Sequence, residues 1–156
     1  MVEAGLVLGL STVSQLPGNL LSDHFVQWLG GRPHLMLISI PLSVLAIWGL
    51  LLGPLSWWPV FAVIFGLGIG CVFTLGMTLI VDSSADAPTT VALSGMAQGM
   101  GFLFGGVLAW IASDVMDTAH PAVSMACVYS VFAVGSLVSG LCSNAPGKVS
   151  LPSSRR

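Results

Sequence analysis

The chain is 156 residues long, 55% hydrophobic and only 6% charged, with a formal net charge of −2 and a mean hydropathy of +0.97. Soluble domains carry about 25% charged residues, so this composition excludes an ordinary water-soluble globule. Four basic residues against six acidic ones also exclude the basic footprint of a nucleic-acid binder.

Five stretches contain no Asp, Glu, Lys or Arg: residues 4–21, 34–53, 58–81, 91–113 and 122–142. At ~1.5 Å per residue, ~20 helical residues cover the ~30 Å hydrocarbon core of a bilayer. The pattern predicts an all-α, multi-pass membrane bundle over residues 1–142 with five transmembrane helices. Residues 143–156, rich in Ser and Pro, read as a disordered tail. The N-terminus has no basic segment ahead of its apolar run and does not read as a cleaved signal peptide.

The first predicted helix is the most polar. Ala4, Ser11, Ser14, Gln15, Gly18 and Ser22 fall on one face at ~100° per residue, and that face should meet protein or water. Pro17-Gly18 is a potential kink. The second helix is apolar nearly all round and carries Pro41, which suits the bundle periphery. Trp57 and Trp58 mark a membrane interface. In the third helix, Gly66, Gly70 and Thr74 form a small-xxx-small stripe that admits a close helix neighbour. Cys71, Thr74 and Thr78 lie within about 60° of one another. In the fourth, Ser94, Gly95, Gln98, Gly99, Gly105 and Gly106 share an arc of roughly 140°. This arc should pack or line a cavity, while Met96, Met100, Leu103, Phe104 and Val107 should meet lipid or another helix. The fifth helix gathers Ser124, Cys127, Gly135, Ser139 and Cys142 on one side.

With five spans, the segments between helices divide into two sets on opposite sides of the membrane. Arg32, Lys148, Arg155 and Arg156, all four basic residues, belong to one set. The positive-inside rule puts that set, and the C-terminus, in the cytoplasm and the N-terminus outside.

Ionisable residues within a membrane are functional candidates, but none lies inside these five stretches apart from His34 at one end. That weighs against a proton relay. His24, His34 and His120 lie in loops or at helix ends, and Cys71, Cys127 and Cys142 show no ligand spacing, so no metal and no cofactor is expected. Ser94 is the sole candidate nucleophile, with no His or Lys at membrane depth to serve as its base; the chain does not read as an enzyme. The remaining candidates are neutral polar groups. Gln98 and Gln15 are costly in lipid unless hydrogen-bonded, which means either an interhelical bond or a place in a substrate cavity. Thr74 and Thr78 can bond their own preceding carbonyls or face a cavity. Gly66, Gly70, Gly95 and Gly99 are helix-packing candidates.

The string Ala92-Leu93-Ser94-Gly95-Met96-Ala97-Gln98-Gly99-Met100-Gly101, after a Thr-Leu-Ile-Val and acidic-loop segment over 78–86, resembles the eleventh-helix region of the cyanate-transporter (CynX/NimT type) family of the major facilitator superfamily. Ala4-Gly5-Leu6-Val7-Leu8-Gly9-Leu10-Ser11 is similar to the start of the family's eighth helix. Gly18, Asp23, Gly31 and Arg32 are counterparts of the superfamily's cytoplasmic loop motif, in degraded form, with His24 where Arg is usual.

The resemblance implies a twelve-helix fold of two halves, of which this chain would supply helices eight to twelve. It implies alternating-access transport of a small solute, a cyanate-like anion first, in a bacterial inner membrane. Under it, Gln15, Thr74, Thr78 and Gln98 are substrate-binding candidates, Asp23 is free to meet a helix N-terminus or an Arg, and the partners are the lipid bilayer, a small-molecule substrate and an N-terminal half or another membrane subunit. The chain is then a fragment of a transporter. The competing expectation is a non-transporting five-helix membrane interaction protein, or a fragment without function.

Overall fold

The computed structural model describes residues 2–116 and 120–142. Five long helices account for nearly all of them: α1 (Val2–Leu29), α2 (Arg32–Leu52), α3 (Trp58–Ser83), α4 (Ala87–Met116) and α5 (Pro121–Cys142). One 3-10 turn, Leu55–Trp57, leads into α3. The fold is all-α, as composition and the uncharged stretches require. Among the described residues four segments are long and apolar enough to cross a bilayer: Arg32–Leu52, Leu55–Ser83, Ala87–Ile111 and Pro121–Cys142. α1 is not among them, because Ser11, Thr12, Ser14, Gln15 and Asn19 dilute its leucines and valines.

Helix ends differ from the sequence reading in a consistent direction: the helices are longer and the loops shorter. The expected 22–33 loop is corrected to a two-glycine turn. α1 continues to Leu29 because nothing in residues 22–29 breaks it, and Phe25, Val26 and Leu29 pack against the core. The chain reverses at Gly30 and Gly31, whose φ angles of 80° and 139° suit only glycine. The expected 82–90 loop shrinks to residues 84–86, where Asp86 caps α4. α4 runs on past 113 to Met116. The expected disordered tail lies outside the described residues.

α1 and α3 form the most extensive interface, and it is parallel. Gly66 meets Ser11, Gly70 meets Gln15 and Asn19, and Thr74 bonds Asn19, so residue numbers rise together. α1 therefore accompanies α3 through the same depth, although its composition alone does not mark it as a span. α2 runs antiparallel to both α3 and α5. Phe61 fills the space beside Gly49, Ser43 sits against Gly68, the Trp48 Nε1–H donates to Ser130 Oγ at 3.0 Å, and Met36 abuts Gly140.

α2 is thus central, and its expected peripheral place is corrected. Its small polar stripe, Ser39 and Ser43, is buried with Leu35, Met36, Ile40 and Ala46. Each serine is satisfied locally or across the seam: the Ser43 hydroxyl donates to the Ser39 carbonyl at 2.8 Å. The core joins Leu35, Met36 and Ile40 of α2 to Cys71 and Leu75 of α3 and Ala133 of α5. α4 adds nothing to this cluster and packs only lightly on α3 and α5.

The outer surface suits lipid. Leu8, Leu20, Leu45, Phe102 and Val131 are each largely exposed, which costs nothing in hydrocarbon. Exposed Trp28 stands at the end of the bundle that holds Arg32 and Asp82, and Trp57 stands at the opposite end with Trp58. The 26 residues of α3 between those ends are ~39 Å long, enough for the hydrocarbon core and part of each interface.

Candidate functional site

Three of the four substrate-binding candidates lie on the α1–α3 pair. α1 and α3 approach so closely because glycines replace side chains at the crossing. A Cβ on Gly66 would collide with the Ser11 carbonyl, one on Gly70 would sit 2.5 Å from the Gln15 carbonyl oxygen, and one on Gly18 would sit 2.6 Å from the Leu67 carbonyl oxygen. The small stripe leaves polar groups facing one another across a short gap. The Thr74 hydroxyl donates to Asn19 Oδ1 at 3.3 Å, and the Cys71 thiol donates to the Gly18 carbonyl at 3.4 Å. Thr78 turns back on its own helix, donating to the Thr74 carbonyl at 2.9 Å. Gln15 is half-buried beside Gly70.

Asn19 is the member of this group that sequence reasoning missed. It lies on the same flank of α1 as Gln15, four residues on, and a four-residue polar spacing is the signal that could have found it.

Gln98 lies elsewhere. It is exposed on α4, and Gly95 and Gly99 beside it are exposed too, with no atom within 4 Å of a Cβ built on either. Within the described residues these two glycines pack against nothing. It is the bulky arc of α4 that turns inward: Leu93, Met96, Met100 and Phe104 face an open groove of about 1140 Å³. Its other walls include Met36 and Ile40 from α2, Val72, Gly76, Leu79 and Ser83 from α3, and Val131, Gly135 and Ser139 from α5. None of Gln15, Thr74, Thr78 and Gln98 lines it.

The loop-motif candidates are divided between two roles. Gly18 is buried in the α1–α3 seam, and Gly31 forms the reverse turn. Arg32, the first residue of α2, forms an ion pair with Asp82 in the last turn of α3. Asp23 is exposed, and the acidic partner of Arg32 is Asp82. The reason is topological: the antiparallel α2–α3 pair brings the start of one helix to the end of the other. Both side chains remain partly exposed, at 35% and 53%, as befits an interfacial pair.

At the same end, the Asp86 carboxylate accepts the Thr89 backbone N–H at 2.9 Å, capping α4. Hydrogen bonds from the Thr89 hydroxyl and backbone N–H hold the Asp86 carboxyl below its ordinary 3.8.

The neutral donors and acceptors of the seam are engaged with one another, Thr74 with Asn19 and Thr78 with the Thr74 carbonyl. Among the described residues no three His, Cys, Asp or Glu side chains are grouped to hold a metal ion.

Over 107 residues the chain is 30% identical to the cyanate transport protein CynX of Escherichia coli (strain K12), a match covering 69% of this chain and 28% of CynX. The chain thus aligns with less than a third of the length of that relative. No family model matches the chain. No solved structure matches it either. Apolar helices and this relative together make the chain a multi-pass membrane protein similar in sequence to a transporter.

Proposed function

We propose that this chain supplies helices to a secondary transporter of a small solute, a cyanate-like anion in the first instance, working by alternating access together with an N-terminal half or another membrane subunit. The observation that carries this reading is the 30% identity with CynX. The α1–α3 seam is consistent with it: Gly18, Gly66 and Gly70 allow the backbones to meet, which suits helices that rock as units. Asn19, Thr74 and Gln15 stand on that pair as neutral hydrogen-bonding groups for substrate or for the facing half. In this reading Gln98, Gly95 and Gly99 face the partner subunit across α4, and the Arg32–Asp82 end lies in the cytoplasm of a bacterial cell whose inner membrane holds the protein.

The test is uptake of labelled cyanate by cells that lack a cyanate transporter of their own. They express the chain alone, or the chain fused behind the remaining N-terminal portion of CynX, at matched levels. Uptake by the fusion supports the proposal; uptake by neither removes cyanate as the substrate. Gln98→Leu in the active fusion should lower uptake at least severalfold while membrane insertion is unchanged, and wild-type uptake by this variant would remove Gln98 from the site.

A further inference from the structure

We draw no further inference here: the strongest candidate, the open apolar groove between α4 and the wall formed by α2, α3 and α5, carries none, because nothing in the structure shows what covers it.

Discussion

Thr74 and Asn19 form a hydrogen bond between two helices at membrane depth. Such bonds contribute about 0.6 kcal/mol on average and up to about 1.7 kcal/mol, because a polar group in the unfolded, inserted chain also finds partners. Thr74→Val or Asn19→Ala should therefore cost about 1 kcal/mol, read as a shift in denaturation by SDS in mixed micelles. Gly66→Ala should cost more. Its new methyl would meet the Ser11 carbonyl, which belongs to a helix backbone that cannot yield without moving the whole seam. Overpacking of this kind costs ~1–3 kcal/mol, and the same assay should rank it above Thr74→Val.

Asp86 adds a dependence on pH. Its carboxyl is held below 3.8 by Thr89, so the folded state favours the ionised form. The stabilisation is present above the ordinary value and is lost as pH falls through the lowered one. Protection of the Thr89 backbone amide, its exchange rate set against that of an unstructured amide at the same pH, should therefore fall as pH drops below about 3.8 in the parent, and should be low at every pH over that range in Asp86→Ala.

Among the elements, α2 differs most from what its sequence suggests. Read alone, Ser39 and Ser43 are two hydroxyls in an otherwise apolar helix, and serines of that kind can bond their own carbonyls and face lipid. They prove to be the small groups that let α2 approach Gly68 of α3. Ser43→Leu should force the two helices apart and lower the SDS midpoint, whereas Leu45→Ala on the exposed side of the same helix should leave it nearly unchanged. The Arg32–Asp82 pair fastens the same two helices at one end. Both partners are partly solvated, so the coupling from a double-mutant cycle should stay below about 1 kcal/mol.

For the whole bundle, burial separates a tight unit from a loose one. A third of the spanning windows of α2 and of α3 is buried, against none of that of α4. Local opening follows buried contacts, so amides in the middle of α4 should exchange faster in detergent than those in the middle of α3. Equal protection would mean that α4 is held by something other than the light packing on α3 and α5.

The membrane architecture was legible in the sequence because it depends on composition along the chain: long runs without charge have one stable environment, and helices are the structure that satisfies their backbones there. Gly66 and Gly70 were also legible as a small stripe, since spacing by four places residues on one face. Which face meets which helix was not legible. Gln15 and Gln98 look alike as amides within uncharged helical stretches, yet Gln15 stands in the α1–α3 seam and Gln98 on the outside of α4. The pairing of Arg32 with Asp82, the central place of α2 and the groove beneath α4 arise between residues distant in sequence. In a medium as apolar as the side chains themselves, helix association is decided by fit and by a few hydrogen bonds, and neither is visible until the helices are placed side by side.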